Sequence, residues 1–541
     1  MFSSVIKKEW IKIKYFIYAL ALFGVVVIGY FWYNLNFEFA TIEPKSMMWY
    51  RFAHLEQKPY FEFLYFFLLI GVMVSLTQFI PERVRNRIKI ITHLPISLKK
   101  ALIIHLGVGL FFIVIVCSIL SVFIISIILF YYPVEILGVV VKDLFFFFLA
   151  TLIVYFGISA AIIDKSPLVG GIKFFISILA IFTFFKLRFE LLDLGFLFVI
   201  VVLFFVVLDS FYSIKEQRLS HLTFKIFAFL SLLFVLFSTL NLYQNKYSTS
   251  FTKYYIFYSP TLGEFVYQKN FGDHRFEYAS QSGTKFDQKG YESTLPFVYW
   301  RDLEIQGLLP LDIDGMIYDK KTIQESRLSF GYEPKYLIKK ELELYPLINP
   351  QTTLGMIRFP SEAIVFSDTK VRIYDSEHDH EEECKEEDLN EELQTLLRAY
   401  NVSLPIKQIY GKATNMKPYD LGYFIIDKND RLFNLHRADY TLHLKELPSS
   451  PYMKIAHIEI SENRQKLLAG YAIDEKNNFY IIDYETLEFK SVDLEGFDYK
   501  TMRLQLYSDP KYYLIRYDDG VSYHARVYDK EFNFIDGIVV K

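Results

Sequence analysis

Residues 81–100 read PERVRNRIKIITHLPISLKK. This basic stretch lies between two long apolar runs, 60–80 and 101–130. Arg83, Arg85, Arg87, Lys89, Lys99 and Lys100 stand against a single acid, Glu82. Apolar runs of this length cross a bilayer as helices, and Lys/Arg enrichment in a short loop between two crossings places that loop in the cytoplasm. It is the longest cytoplasmic loop expected of the N-terminal half. A cytosolic partner that drives the protein has to act here or on the N-terminal segment.

Working outward, the chain divides in two. Residues 1–242 carry the long apolar runs: 15–33, 60–80, 101–130, 144–163, 167–185, 191–208 and 222–240. Residues 243–541 carry none, although the whole chain is 52% hydrophobic and 18% aromatic. The first part holds 21 Lys/Arg and 13 Asp/Glu, a net charge of +8; the second is near −11, giving the overall −3. A basic membrane half, 1–242, and an acidic soluble half, 243–541, follow from this split. The second is long enough to bury its own core, and its charge disfavours nucleic-acid binding.

The expected bundle has six to seven spans. With the N-terminus inside, segments 1–14, 81–100, 164–166 and 209–221 hold 4, 6, 1 and 2 Lys/Arg, and loops 34–59, 131–143 and 186–190 hold 3, 1 and 2. The bias supports this orientation. Seven spans then place the second half outside the cytoplasm; six spans would leave it in the cytosol. Residues 1–14 set Phe2, Ile6, Trp10 and Ile13 at helical spacing among lysines, which reads as an amphipathic helix at the inner membrane surface. Ionisable residues in the runs, such as His105 and Lys173, lie near run ends, so the intramembrane relay of an ion-coupled transporter is not evident.

Within the basic loop, Pro95 favours an extended Leu94 and can open a helix running through Ser97 and Lys99. Ile90, Ile91 and Leu94 form an apolar knob ringed by cations, suited to a partner groove or to anionic lipid headgroups. The series Arg83-x-Arg85-x-Arg87, then Leu94-Pro95-Ile96-Ser97 before a span, resembles the first cytoplasmic loop of six-helix ABC exporter permeases. The resemblance implies a coupling helix, formed by Arg83, Arg85, Arg87, Ile90, Ile91, Leu94, Pro95 and Ser97, that seats in a separate cytosolic ATPase. It further implies a homodimer or a second permease subunit, and a place in a bacterial inner membrane. No G-x-x-x-x-G-K-[ST] sequence occurs, so any nucleotide hydrolysis belongs to another chain. A seventh run and a large soluble half depart from that family's pattern.

The soluble half reads as mainly strand. Gly422–Asp430 (GYFIIDKND) parallels Gly470–Asn478 (GYAIDEKNN), and Tyr513–Gly520 (YLIRYDDG) is a looser copy. A second turn recurs at Asp483 and Asp529. This period fits the blades of an incomplete or irregular β-propeller, or an irregular meander. Segments 295–315 and 417–433 resemble those of an uncharacterised bacterial family that pairs membrane spans with an outward domain, which ties both halves to one export system.

Residues 375–392, DSEHDHEEECKEEDLNEE, bring His378, His380 and Cys384 together as weak metal-ligand candidates. A solvated acidic run leading into a helix over 386–400 is the plainer reading. No cofactor and no catalytic constellation is expected. A permease subunit of an ABC-type export system is the leading expectation, and a membrane-anchored sensor or scaffold with a partner-binding β domain is the alternative.

Overall fold

The computed structural model describes residues 2–84, 87–89, 97–186, 190–215, 222–247, 253–377, 383–447 and 453–541. Two compact units result. One comprises Met1–Glu43 and Leu55–Thr249; the other comprises Pro44–His54 and Ser250–Lys541.

The first unit is helical. Six of the seven apolar runs fall wholly in one helix, and the run 60–80 enters its helix through a 3-10 turn at Glu62–Leu64; the helices are α1 (Phe2–Thr41) and, after the segment carrying α2 (Ser46–His54), α3 (Tyr65–Arg83), α4 (Leu98–Tyr131), α5 (Leu137–Ile163), α6 (Pro167–Lys186), α7 (Glu190–Tyr212) and α8 (Leu222–Tyr247). Five stretches among the described residues have the length and composition of a membrane span: Ile6–Thr41, Glu62–Arg83, Lys99–Tyr131, Val134–Ile163 and Phe196–Lys215. Pro167–Thr183 and Leu232–Gln244 are shorter apolar helices.

The N-terminal segment differs from the sequence expectation. α1 runs unbroken from Phe2 to Thr41, so residues 1–14 are not a separate interfacial helix. No Gly or Pro interrupts the junction with the first apolar run. Glu9 and Ile13 are both fully buried. These two residues face the other helices, while Ile6, Trp10 and Ile11 of the same segment are exposed.

α5 is the centre of the bundle. Two-thirds (67%) of its span is buried, against 17% for α1. It packs on α3, α6 and α7, and glycines bring it close to two of them. A Cβ on Gly71 of α3 would stand 2.7 Å from the Thr151 carbonyl oxygen, and one on Gly157 of α5 would stand 2.4 Å from Ser177 Oγ of α6. Small residues at such contacts let helix backbones approach.

The second unit is mainly β. It contains β1 (Lys253–Tyr258), β2 (Phe265–Asn270), β3 (Phe276–Ser280) and β4 (Lys285–Phe286) in one sheet; a ribbon of β5 (Leu311–Ile313) and β6 (Met316–Tyr318); and β7 (Leu328–Tyr332). β8 (Leu344–Pro346), β9 (Glu362–Phe366) and β10 (Val371–Asp375) form a three-stranded sheet. β11 (Gln408–Tyr410), β12 (Tyr423–Ile426), β13 (Leu432–Ala438) and β14 (Thr441–Glu446) form a four-stranded meander. So do β15 (Ile455–Ile460), β16 (Gly470–Asp474), β17 (Phe479–Ile482) and β18 (Phe489–Val492). β19 (Arg503–Ser508), β20 (Tyr513–Asp518), β21 (Tyr523–Tyr528) and β22 (Phe534–Val540) form the last sheet, which β7 joins beside β19.

The sheets stack face to face through separate hydrophobic clusters. Ile256 and Phe265 of the first sheet meet Leu514 and Val527 of the last. Leu504 and Ile515 meet Tyr471 and Phe479 of the β15–β18 sheet. That sheet meets β11–β14 through Ile458, Ile482, Phe424 and Leu432. β11–β14 in turn meets β8–β10 and the helix Glu383–Ala399 through Ile425, Phe433, Ile364 and Leu393. Successive residues of β12 thus feed opposite clusters, as the two-residue period of a strand requires. These contacts give a run of stacked meanders; they do not close a propeller.

The sequence repeat is a repeat of turns. Asp427, Asp474 and Asp518 each sit after the second strand of a meander, at the ends of β12, β16 and β20. Asp427 Oδ1 accepts from the N–H of Asn429 at 2.8 Å and of Arg431 at 3.0 Å. Asp474 Oδ1 accepts likewise from Lys476 and Asn478, both at 2.8 Å. Asp483 and Asp529 make equivalent turns after β17 and β21. An aspartate that bonds its own following backbone fixes a tight hairpin turn.

Candidate functional site

The residues singled out by the sequence divide as follows. Arg83 lies in the last turn of α3, and its Nη2 donates to the Lys165 carbonyl oxygen at 3.2 Å. Arg87 is exposed. Ser97 is the N-cap of α4: its backbone is extended and its Oγ accepts from Lys100 N at 3.4 Å. It therefore ends the loop rather than lying inside a helix, because a serine side chain satisfies a first-turn N–H best from the cap position. Arg85, Ile90, Ile91, Leu94 and Pro95 lie outside the described residues. So do His378 and His380 and the side chain of Cys384. The acidic run does lead into a helix, Glu383–Ala399, as expected.

Around the ends of α3 and α4 that flank this loop is a buried charged cluster. Lys12 of α1 bonds Glu9 and stands 2.6 Å from Glu82 Oε1 of α3. Lys8 reaches the same Glu82 oxygen at 2.6 Å. Glu9 is fully buried and Glu82 nearly so. His105 of α4 donates from Nδ1 to the Ala101 carbonyl at 2.7 Å, leaving Nε2 3.4 Å from Glu9 Oε1. Only a protonated imidazole or a protonated Glu9 can form a hydrogen bond across that gap. Gln78 of α3 donates to the His105 carbonyl at 2.5 Å and accepts from Tyr155 of α5 at 2.8 Å. One network therefore joins four helices.

A second network ties α5, α6 and α7. Lys173 Nζ is 2.8 Å from Asp164 Oδ2, 2.9 Å from Asp209 Oδ2 and 2.8 Å from Ser210 Oγ. All three ammonium donors are used. The sequence placed His105 and Lys173 near run ends but gave no sign that carboxylates from distant segments would meet them. The usable signal was Glu82, the one acid of a basic loop, and Glu9 among the lysines of α1.

In the second unit, α2 is an anchored element. It buries Ser46, Met48, Trp49 and Phe52 on one face. Ser46 N donates to Ser376 Oγ at 2.9 Å, and Ser46 Oγ bonds the Pro360 carbonyl. His54 Nε2 is 2.7 Å from the Leu344 carbonyl oxygen. Burial, and then the nearby Lys340 ammonium, hold the His54 imidazole down to about 4.

The same unit holds a groove of about 420 Å³. It runs along the free edges of β8, β11 and β15, with Pro334–Leu337 and the residues after it as one wall. Lys335, Lys339, Lys340, Lys407 and Lys412 line it against Glu343 and Glu459. Tyr336 also borders an adjoining cavity of about 170 Å³ beside Arg503 and Arg516. His457 lies in the groove wall, 6% exposed, and touches the rings of Tyr332, Tyr336, Tyr410 and Tyr471 at centroid distances of 5.1, 5.8, 5.6 and 6.1 Å. Among the described residues neither of its ring nitrogens has a hydrogen-bond partner.

Comparison with known proteins bears on this β unit alone. No ABC permease family matches the helical unit. Neither the curated proteins nor the solved structures contain a match to the chain. Residues 255–528, from β1 to the end of β21, match a family model described as a domain of unknown function, DUF4857. That segment is half of the sequence and contains the stacked sheets except β22, the aspartate turns except that of Asp529, and the groove, and by it the chain belongs to the DUF4857 family.

Proposed function

We propose that the protein is the membrane subunit of a bacterial ABC-type export system, coupling a separate cytosolic ATPase to the β unit across the inner membrane. The charged cluster at the loop-bearing ends of α1, α3 and α4 carries this reading. Within the basic stretch Glu82 lies in the last turn of α3 and Ser97 caps α4, so a push on the residues between them acts on α3 and α4 together. The Lys12 link to Glu82 extends that push to α1, and Gln78 with Tyr155 extends it to α5. Breaking a buried ion pair costs several kcal/mol, so these ends favour moving as one body.

Connectivity supports the sidedness of this reading. Pro44–His54 leaves the first span and is built into the β unit, so that unit shares a side with the loop after α1. On this reading the chain crosses an even number of times between residues 54 and 250, which with the first span makes the total odd. Seven crossings, with α6 and α8 included, are consistent with this, as are five, and six are not. With the basic loop inside, the β unit is extracytoplasmic. A homodimer or a second permease subunit would complete a path.

The test is co-purification with the products of the neighbouring genes. A nucleotide-binding subunit is expected to co-purify with the wild type, and I91E with L94E is expected to release it. If none co-purifies and the double variant retains full function, the reading fails.

A further inference from the structure

We propose that the groove over β8, β11 and β15 is a binding site for a small acidic sugar, one whose ring carries a carboxylate or a phosphate. Its volume of about 420 Å³ is within the range of small-molecule sites, roughly 300–1,000 Å³. Three features of its wall narrow the ligand.

The first is charge. Of the five lysines, Lys335 pairs with Glu333 at 2.5 Å and Lys407 pairs with Asp430. Lys339 and Lys412 have no carboxylate partner among the described residues, whereas Lys340 Nζ is taken by His54 Nδ1 at 3.3 Å and faces the Tyr345 ring at 4.9 Å. Both carboxylates of the wall have neighbours of their own. Glu343 accepts from the Tyr345 hydroxyl at 2.6 Å, and Glu459 lies 3.8 Å from His457 Nε2. The cations left over can meet one or two anionic oxygens of a ligand.

The second is His457. A buried polar side chain normally has a partner, and this imidazole has none for its donor or its acceptor. A hydroxyl can both donate and accept, so a polyhydroxylated ligand satisfies either tautomer where a bare anion satisfies only the donor.

The third is aromatic surface. Tyr336, Tyr345 and Tyr410 line the same groove. Tyr410 is fixed by its hydroxyl, which donates to the Ala456 carbonyl at 3.0 Å, and Tyr336 is 45% exposed. A half-exposed ring beside a fixed one gives the C–H face of a pyranose an apolar bed while its substituents reach the lysines and His457.

The site is independent of the export reading, because its test needs no ATPase. Titration calorimetry of the full-length protein in detergent, with glucose 1-phosphate, glucuronate, glucose and inorganic phosphate, decides it. Saturable binding of glucose 1-phosphate or glucuronate is expected, at least tenfold tighter than glucose and inorganic phosphate. K339E with K412E, both surface changes, should weaken it at least tenfold without moving the melting temperature. H457Q should weaken the sugar acid while leaving inorganic phosphate unchanged. Three outcomes overturn the proposal: no saturable binding of either sugar acid, inorganic phosphate bound as tightly as they are, or affinity that survives K339E with K412E.

Discussion

His54 Nε2 lies 2.7 Å from the carbonyl oxygen of Leu344, and the other ring nitrogen, Nδ1, lies 3.3 Å from Lys340 Nζ. The two contacts fix the tautomer: Nε2 carries the proton and Nδ1 accepts from the ammonium. Burial, and then the Lys340 ammonium that a protonated Nδ1 would face, hold the imidazole down to about 4. For a base whose folded value is depressed, the contribution to stability is complete above the unfolded value of 6.5 and is lost as pH falls through the folded one. The gap from 6.5 to about 4 corresponds to about 3 kcal/mol. Hydrogen exchange of the 44–54 segment should therefore rise between pH 6.5 and 4, after correction for intrinsic rates. In H54Q, which keeps a donor for Leu344 but does not titrate, that extra rise should vanish.

Lys12 and Lys8 reach the same oxygen of Glu82 at the same distance, 2.6 Å, yet they are not equivalent. The Lys12 side chain is 13% exposed and that of Lys8 is 47% exposed. Replacing Lys12 by Met removes the cation that two buried carboxylates share, leaving Glu82 with Lys8 alone, and should cost about 3–5 kcal/mol. Replacing Lys8 by Met removes a half-exposed cation from a Glu82 that keeps Lys12, and should cost less than about 1 kcal/mol. Thermal unfolding of the two variants in detergent should separate them clearly, and K12M with E82Q should recover part of the loss. Equal effects would mean that the cluster is not the tie between α1 and α3.

Two glycines of the sequence repeat are there for close approach. A Cβ on Gly470 would stand 2.0 Å from the Glu459 carbonyl oxygen, and one on Gly422 would stand 2.3 Å from that of Leu435. Both oxygens belong to neighbouring strands whose registers, Ile460↔Gly470 and Tyr423↔Leu435, are set by the ladder. G470A and G422A should each destabilise the β unit by about 2 kcal/mol or more. Gly520, also at positive φ but with open space around it, should lose only about 1 kcal/mol on conversion to Ala. Urea unfolding followed by tryptophan emission would rank the three.

These particulars also show what the sequence could and could not disclose. The seven apolar runs are helices because twenty consecutive apolar residues have few other solutions. The aspartate turns were legible because one residue type supplies the whole turn locally. The propeller-like repeat could not be followed into residues 243–420. There β7 crosses to pair with β19, and the β8–β10 sheet has three strands, its outer layer completed by a helix. Glu9 and Glu82 meet only after α1 and α3 pack. His457 reads as an ordinary strand residue, and its tyrosine surroundings come from β7, β11, β16 and the Pro334–Leu337 turn. Long-range meetings of this kind leave no local pattern.

Sidedness is the prediction on which the export reading most depends. On that reading Pro44–His54, which belongs to the β unit, calls for an odd number of crossings, and the lysine and arginine bias is the ground for expecting residues 81–100 inside. Met416 is 90% exposed in the β unit, and Cys117 is buried among the helices. In a C384S background, M416C should react with a membrane-impermeant maleimide added to intact spheroplasts, and R87C should react only after lysis. Cys117 should stay unlabelled in both conditions. If R87C and M416C instead become reactive together, the β unit shares the side of the basic loop. No ATPase acting on that loop would then be working across the membrane from it.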